Sequence, residues 1–153
     1  MNTMIRTANT DPWHNLALEE CLFATPSLGP VLYLWRNQNT VVIGKHQNAW
    51  KECRTQLLEE EGGKLARRST GGGAVFHDLG NLNFTFIMPT ELYNVKRQCG
   101  VILKALRSLN IDAEFTGRND LTIKGAKFSG NAFRLSLIHI FSTVSPWEQM
   151  CWQ

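Results

Sequence analysis

Three consecutive glycines shortly after two arginines are the part of this sequence whose residue types could do chemistry. Gly71, Gly72 and Gly73 follow Arg67 and Arg68 closely. Glycine lets the backbone adopt positive φ and lets a ligand approach without meeting a Cβ atom. Successive amides in such a turn can form a nest that binds an anion. The guanidinium groups add fixed positive charge and planar donors that match phosphate or carboxylate. The run therefore indicates a site for an anionic ligand.

The glycine run also fits a simpler interpretation. No Gly-Lys-Ser/Thr follows it, so it is not a Walker A motif, and its spacing is not that of GxGxxG. A glycine hairpin flanked by solvated arginines has the same composition, and on the glycines alone this interpretation is favoured. Choosing between an anion site and a simple hairpin requires the rest of the sequence.

Histidine and cysteine spacing does not indicate a metal centre. His14, His46 and His139 are isolated and are assigned structural or solvated roles. No CxxC pair and no secretory signal occur, so reduced thiols in a cytoplasmic protein are expected. The cysteines concerned are Cys21, Cys53, Cys99 and Cys151.

Composition limits the classes of protein. The 153 residues, 43% hydrophobic and 19% charged, suit one ordinary domain with its own core. A net charge of +3 permits a phosphate-bearing ligand but is not the clustered positive charge of a nucleic-acid binder. The longest apolar run, 135–141, is far below the roughly 18 residues that span a bilayer. We expect neither a nucleic-acid partner nor a membrane span.

Apolar patterning before the glycine run predicts the elements that position it. Asp11 and Pro12 begin a helix. Its buried face is predicted from apolar residues at helical spacing: Trp13, Leu16, Ala17 and Cys21. Val31–Trp35 and 40–44 are predicted strands joined by a polar turn at 37–39. A second helix is predicted over 50–61, ending at a pair of glycines.

Patterning after the run predicts a sheet and one long helix. Strands are expected at 74–77 and 82–87, then a helix over 91–109 with one apolar stripe, ending at Asn110. Three short strands follow at 113–115, 121–124 and 127–129, the last two joined by a turn at Gly125. Since strands and helices mix without strict βαβ alternation, the sequence favours an α/β fold with mixed or antiparallel pairing.

Four segments of the chain resemble the lipoate–protein ligase A family. The most specific is RRSTGGGAVFHDLGNLNFTF at 67–86. The others are DPWHNLALEE at 11–20, LWRN at 34–37 with TVVIG at 40–44 and QN at 47–48, and GRNDL at 117–121 with KFSGNAFR at 127–134. The segment at 34–44 resembles the first hairpin of the family. The resemblance spans about 4–134, with the segments in the expected order.

The resemblance implies a fold and a reaction. The fold is a mixed, largely antiparallel α/β sheet with flanking helices, shared with biotin–protein ligases and more remotely with class II aminoacyl-tRNA synthetases. A carboxylate is a poor electrophile because attack adds charge to an anion, and coupling to AMP removes that charge and supplies a leaving group. The family accordingly makes lipoyl-AMP from lipoate and ATP, and then passes the lipoyl group to a lysine.

Cofactors and partners follow from the same resemblance. ATP and Mg²⁺ are the implied cofactors, and lipoate or octanoate is the acid. The implied acceptors are lipoyl domains of 2-oxoacid dehydrogenase E2 subunits and the glycine cleavage H protein.

Residue roles are carried over to the matching positions. Arg68 would bind the nucleotide phosphates, and Lys127 would hold the carboxylate and later the acyl-adenylate. Asp120 would bind Mg²⁺, with a cap of the turn at 119–121 as the alternative. His77 is expected to be a positioning hydrogen-bonding residue, with a catalytic base as the alternative. Four residues would lie along the nucleotide and the acyl chain: Gly73, Ala74, Val75 and Phe76.

A neighbouring class of enzyme is the first alternative function. It transfers octanoyl groups from acyl carrier protein through a cysteine thioester, without ATP, and needs a thiol near the binding lysine. No cysteine lies between Cys99 and Cys151, and Cys99 falls on the apolar stripe of a predicted helix. The ATP-dependent route is therefore favoured.

An inactive fragment is the second alternative. The resemblance stops at about Arg134, and 135–153 do not look like the family. We expect 1–134 to be the N-terminal part of the catalytic domain, incomplete, and 135–153 to be an aberrant tail from a frameshift or a chimeric join. Such a chain would at most bind ATP or an acyl-adenylate.

Overall fold

The computed structural model of the chain describes residues 2–25, 29–116, 120–135 and 139–145. The helices are α1 (Pro12–Phe23), α2 (Ala49–Glu52), α3 (Thr55–Glu60) and α4 (Val95–Ser108). The strands are β1 (Thr3–Arg6), β2 (Val31–Trp35), β3 (Thr40–Ile43), β4 (Lys64–Arg67), β5 (Val75–His77), β6 (Asn83–Pro89), β7 (Glu114–Phe115), β8 (Asp120–Ile123), β9 (Ala126–Leu135) and β10 (His139–Ser145).

These strands form two sheets. The large sheet has the order β1-β2-β6-β10-β9-β8-β7, and the small sheet has the order β4-β3-β5. In the large sheet β1 is parallel to β2 and the other neighbours are antiparallel. In the small sheet β3 is parallel to β4 and antiparallel to β5. The prediction of a mixed, largely antiparallel sheet with flanking helices is confirmed.

The large sheet is covered by a helix on each face. Because side chains alternate along a strand, β2 supplies both layers of core. Its odd-numbered residues pack with α1: Val31, Tyr33 and Trp35 against Leu22 and Phe23. Its even-numbered residues, Leu32 and Leu34, pack with Phe84, Phe86, Met88 and the α4 residue Ile102. The fold therefore fixes α1 on the face to which Tyr33 and Trp35 point.

The buried face of α1 differs from the predicted one. Asp11 does cap the helix, but Trp13 and Cys21 are exposed, and polar Asn15 and Glu19 lie on the buried side. Apolar spacing failed here because the buried polar groups have hydrogen-bond partners in the core, which removes the penalty for burying them. The Trp13 ring instead lies under the Lys64 ammonium, with 5.1 Å between Lys64 Nζ and the centre of the ring.

The strands β2 and β3 form where predicted, but they do not pair as a hairpin. β2 pairs with β1 and β6, whereas β3 pairs with β4 and β5. The polar link at 36–39 crosses from the large sheet to the small one. Its residue Asn37 is fully buried and hydrogen-bonds to His77 of β5, so the link is held by the core rather than by a turn between paired strands.

The predicted second helix is two short helices. α2 and α3 are separated at Cys53, whose backbone is extended (φ −144°). The predicted end at the glycine pair is confirmed, since α3 ends at Glu60.

The long helix α4 begins later than predicted. Residues Thr90–Leu92 form a 3₁₀ turn, and Asn94 then caps α4 by accepting a hydrogen bond from the Arg97 amide. Asn110, with φ of 59°, follows the helix end as predicted. Across the described ranges, no helix combines the length and apolarity that a membrane crossing requires.

Candidate active site

A cavity lies where the glycine loop, residues 68–73, meets β9 of the large sheet. The small sheet contributes one wall, and α1 and β2 contribute another. The predicted site residues Arg68 and Val75 line it, as does His77. The site is thus built between the two sheets. Other lining residues are Leu16, Glu19, Trp35, Thr70, Gly72 and Gly130.

Arg68 organises the glycine loop. Its Nη2 donates to the carbonyl oxygens of Gly71 (2.9 Å) and Gly73 (2.7 Å), and its Nη1 donates to the Val42 carbonyl (3.2 Å). The guanidinium therefore holds the loop against β3 while it faces the cavity. Its predicted contact with nucleotide phosphates stays a prediction.

Arg67 fixes the neighbouring loop in the same manner. Its Nη1 donates to the carbonyls of Gly44 (3.0 Å), Lys45 (3.2 Å) and Gln47 (2.8 Å). The Lys45 amide in turn donates to the Thr70 carbonyl at 2.8 Å. Arg67 thus holds the loop at 44–47 and Arg68 holds the glycine loop. The hydrogen bond from Lys45 to Thr70 joins these two loops.

The two loops touch without side chains between them. A Cβ atom on Gly44 would lie 2.1 Å from the Gly72 carbonyl oxygen, closer than any such contact can be. Gly72 itself has φ of 98°, a conformation that favours glycine. The sequence singled out the glycine run but missed Gly44, because nothing local shows that another backbone lies against it.

Thr70, one of the residues that line the cavity, has a buried hydroxyl group. Thr70 is 2% exposed, and its Oγ1 has no hydrogen-bond partner among the described residues. A buried hydroxyl without a partner is unfavourable unless a ligand or water supplies one. Together with Arg68, this hydroxyl fits an acceptor-rich ligand such as a phosphate or a carboxylate.

Two adjacent acidic residues connect α1 to the site. Glu19 is 3% exposed, lines the cavity, and accepts a 2.5 Å hydrogen bond from the Thr85 hydroxyl. Glu20 binds Arg134 of β9 at 2.6 Å, and the Arg134 guanidinium holds the pKa of that carboxyl below its usual range. Glu20 also accepts a hydrogen bond from Ser69, so α1 is tied to both β9 and the glycine loop. The motif at 11–20 contained these residues, but the apolar pattern assigned them no role.

Lys127 and Asp120 form an ion pair. The Lys127 ammonium lies 3.1 Å from the Asp120 carboxylate on the β8–β9 hairpin, and both are partly exposed. The cavity wall does not include them, although Gly130, Asn131 and Ala132 on the same strand β9 do line it. Asp120 belongs to β8, opposite Gly130, while residue 119 of the predicted turn at 119–121 lies outside the described ranges. The predicted roles of this pair stay predictions.

The remaining predicted residues lie on β5 and just before it. Val75 faces the cavity, whereas Ala74 and Phe76 pack toward the core of the small sheet with Val41 and Ile43. This follows from the alternation of side chains along a strand. Contact of Ala74 and Phe76 with a ligand would use their main chain. Gly73 contributes the carbonyl that Arg68 binds.

His77 is buried and electrically neutral at ordinary pH. It is 2% exposed, and its Nδ1 lies 3.1 Å from the Asn37 side-chain nitrogen. Burial, and secondarily the charge of Arg68, lower the pKa of His77 to about 3. The geometry favours the predicted positioning role over a catalytic base.

This shift predicts a pH-dependent stability. Unfolded histidine has a pKa of about 6.5, so between about pH 6.5 and 3 the unfolded chain takes up a proton that the folded chain excludes. The contribution of His77 to stability is therefore complete above about pH 6.5 and falls at lower pH, by at most about 1.4 kcal/mol per pH unit. We expect wild type to lose unfolding free energy more steeply than His77→Gln between pH 7 and pH 4.5, as measured by urea denaturation. Parallel curves would contradict this.

The residues that could hold Mg²⁺ are few. The described ranges contain no group of three or more histidine, cysteine or acidic side chains able to hold a metal. Mg²⁺ often binds through one or two carboxylates together with substrate phosphates, and Asp120 can supply one such carboxylate. In this structure the Asp120 carboxylate pairs with Lys127, and its predicted role in binding Mg²⁺ stays a prediction.

Comparison with known proteins identifies the family. Residues 11–142 match the family model described as the lipoyl protein ligase A/B catalytic domain. The chain belongs to this family, and the relationship predicted from its motifs is confirmed. The match extends past Arg134, where the motif resemblance stops, and β10 pairs with β6 and β9 inside the large sheet. The assignment of 135–153 as an aberrant tail stays a prediction, and 136–138 and 146–153 lie outside the described ranges.

Solved structures of lipoate ligases share this fold. P. falciparum LipL1 in complex with lipoate is 35% identical, with a TM-score of 0.89 over 95% of this chain and 48% of that one. A bipartite lipoate protein ligase from Thermoplasma acidophilum is 27% identical, with a TM-score of 0.79 and 60% of its chain covered. A lipoate-protein ligase A bound with ATP is 26% identical, with a TM-score of 0.76 and 65% covered. The chain thus spans from about half to two thirds of their lengths.

The fold extends to biotin ligases. The biotin protein ligase from Leishmania major, in complex with biotinyl-5-AMP, has a TM-score of 0.51 at 12% identity. This confirms the predicted likeness to the biotin ligase fold and concerns the fold alone.

Proposed function

We propose that this chain is the adenylating part of a lipoate–protein ligase, which joins lipoate and ATP to lipoyl-AMP with release of pyrophosphate. The observation that carries the proposal is the cavity between the two sheets. Leu16, Val42 and Val75 supply apolar wall, and Arg68 and Thr70 supply charge and a hydroxyl. An acid with an apolar chain needs this combination, and the LipL1 and ligase A neighbours are described with lipoate and with ATP.

The chemistry of the step assigns roles to two cations. Attack of the lipoate carboxylate on the α-phosphorus of ATP adds negative charge to phosphate oxygens already charged. Arg68, fixed by three carbonyls, holds positive charge at the glycine loop without reorganisation. Lys127 lies on the strand that borders the cavity and would bind the reacting carboxylate and then the adenylate. A preorganised cation of this kind stabilises charge more effectively than water does.

Asp120, the partner of Lys127, is the residue that would hold Mg²⁺. Mg²⁺, when bound with ATP, neutralises phosphate charge and orients the leaving pyrophosphate. Asp120 would hold it in place of the ion pair with Lys127.

This exchange of partners gives a testable prediction. Asp120→Asn is expected to raise the Mg²⁺ concentration needed for half-maximal adenylation about tenfold or more, because the amide keeps the shape but loses the charge. The measurement is activity against Mg²⁺ at fixed ATP. Asp112→Asn, on the connection after α4, is the matched control. An unchanged Mg²⁺ requirement would contradict a role of Asp120 in binding the metal.

The acceptor of the lipoyl group would be a lysine on a lipoyl domain. The Thermoplasma acidophilum ligase is described together with its E2 lipoyl domain, which supports E2 subunits as acceptors here. The glycine cleavage H protein is proposed on the family resemblance. The spacing of the four cysteines, which form no CxxC pair, supports reduced thiols in a compartment such as the cytoplasm.

The cavity does not favour the thioester route. Of the three described cysteines none lines it. Cys99 is 6% exposed on α4, and burial raises the pKa of its thiol. A buried, protonated thiol is a poor nucleophile.

Lipoate-dependent exchange between ATP and labelled pyrophosphate tests the proposal. The proposal expects exchange that requires lipoate, ATP and Mg²⁺ together. Binding of lipoyl-AMP without exchange would contradict it in favour of the inactive fragment. Acyl transfer from octanoyl carrier protein without ATP would contradict it in favour of the transferase.

A further inference from the structure

A chain of buried hydrogen bonds runs from Tyr33 to the cavity histidine, and the proposed reaction assigns no role to most of it. It passes through Asn15 of α1 and Asn37 of the link between the sheets, and ends at His77. Asn15, Tyr33 and Asn37 are fully buried. Buried amides of this kind make strong demands on the donor or acceptor character of each neighbour, so the chain can be followed atom by atom.

The orientation of the Asn15 amide is fixed from both sides. Its Nδ2 lies 3.0 Å from the Asn9 carbonyl and 2.9 Å from the Arg36 carbonyl. Carbonyl oxygens only accept, so this atom must be the donating NH₂ group. Its Oδ1 accepts from the Tyr33 hydroxyl at 3.1 Å. Burial, and secondarily Glu19, raise the pKa of Tyr33, so this hydroxyl keeps its proton.

This orientation passes to Asn37. The two hydrogens of the Asn15 NH₂ group are shared among three acceptors, of which the third is an Asn37 side-chain atom at 3.0 Å. Because the Asn15 NH₂ group cannot accept, that atom is the Asn37 Oδ1. The Asn37 Nδ2 then faces Nδ1 of His77 at 3.1 Å. The Asn83 side chain lies 3.4 Å from the same ring atom, but its own amide orientation is not fixed by other partners. An amide NH₂ group only donates. Nδ1 of His77 must therefore accept, and the proton of the neutral ring lies on Nε2.

We propose that two main-chain carbonyls, acting through Asn15 and Asn37, set His77 as the Nε2–H tautomer, and that His77 serves the adenylate as a neutral hydrogen-bond donor. The tautomer stands on the hydrogen-bond geometry alone, and the role toward the adenylate rests on the proposed function. Asn15 and Asn37 are positioning residues in this account.

The cavity explains why a neutral donor suits this place. With Nδ1 engaged by amides, a hydrogen bond from the ring to a ligand has to use Nε2–H, which matches the oxygens of a carboxylate or a phosphate. The charged groups that line the cavity with His77 are Arg68 and Glu19. Burial and Arg68 lower the pKa of His77 to about 3, in keeping with a ring that does not become an imidazolium. Neither ring nitrogen can then act as a general base.

Two-bond ¹H–¹⁵N correlation spectra of the ¹⁵N-labelled chain test the tautomer directly. The His77 ring is assigned by the loss of its signals in His77→Gln. We expect Nε2 protonated and Nδ1 unprotonated, without change from pH 5 to pH 8. A protonated Nδ1, or titration of the ring in this range, would overturn the proposal. The spectra require no activity, so a failure of the proposed ligase function would not be mistaken for a failure of the tautomer.

Variants of the chain test the relay. Asn37→Asp replaces the donor that faces Nδ1 with an acceptor, so we expect the proton to move to Nδ1 and adenylation to fall about 10–100-fold. Tyr33→Phe is the control: the two carbonyls still orient Asn15, and the tautomer should not change. An Asn37→Asp chain that is folded but keeps the Nε2–H tautomer would contradict the relay.

The donor role has its own comparison. A glutamine amide reaches the place of Nε2, whereas an asparagine amide reaches only the place of Nδ1. We expect His77→Gln to retain at least about tenfold more adenylation than His77→Asn, and most of the difference to fall in kcat if the donor acts on the reacting oxygens. Equal activities of the two variants, with both chains folded, would contradict a donor at Nε2.

Discussion

Lys127→Ala is expected to lower lipoate-dependent ATP–pyrophosphate exchange by about 10²–10³-fold, which is the effect of removing one preorganised group that stabilises developing charge. Lys127 lies on β9, the strand whose residues 130–132 line the cavity, and pairs with Asp120 at 3.1 Å. Because its proposed partner is the reacting carboxylate and then the adenylate, the loss should fall on kcat as well as on the KM for lipoate.

Stability separates this effect from a structural one. The ion pair is partly exposed, so its loss should change the free energy of unfolding by no more than about 1 kcal/mol. Lys104→Ala, on the exposed side of α4, is the matched control and should leave exchange unchanged. A Lys127→Ala chain that is folded and exchanges at the wild-type rate would remove the lysine from the reaction.

Gly44→Ala is expected to give the largest loss of stability among single methyl additions in the site. The added Cβ would lie 2.1 Å from the Gly72 carbonyl oxygen, and both groups belong to backbone that cannot rotate away. Overpacking of this kind destabilises by about 1–3 kcal/mol, occasionally more. Since the displaced segment is the glycine loop that Arg68 holds, adenylation should fall with it.

Gly71→Ala is the matched control for this prediction. A Cβ on Gly71 meets nothing within 4 Å, and its φ is not positive. Urea denaturation should therefore show a small loss of stability for Gly71→Ala and a large one for Gly44→Ala. Equal stabilities would mean that the glycine loop is not packed on Gly44.

Local patterns predicted the elements well and their partners poorly. The strands at 31–35 and 40–43 show β-rich runs that need no tertiary information. They belong to different sheets, and the link between them carries Asn37, whose buried side chain hydrogen-bonds to His77 forty residues away. The burial of Asn15 and Glu19 on α1 was likewise hidden, because periodicity counts apolar residues and cannot see which polar groups find partners in the core.

Some features of the candidate site could likewise be predicted from the sequence, and others could not. The glycine run marked the place where backbone comes close, and Arg68 and Val75 indeed line the cavity. The sequence could not show that Lys127 pairs with Asp120, because two strands and a turn bring them together only after the hairpin forms. Nor could it show Gly44 against Gly72. Contacts between distant segments depend on the tertiary fold. In this chain they hold the glycine loop against the other walls of the cavity.

Direct detection of the intermediate tests the central claim. The chain is mixed with lipoate, ATP and Mg²⁺ in the absence of an acceptor, quenched, and analysed by mass spectrometry for lipoyl-AMP. The account predicts lipoyl-AMP in amounts comparable to the chain, formed only when all three reactants are present and strongly reduced in Lys127→Ala. A chain that binds lipoate and ATP but forms no adenylate would contradict it.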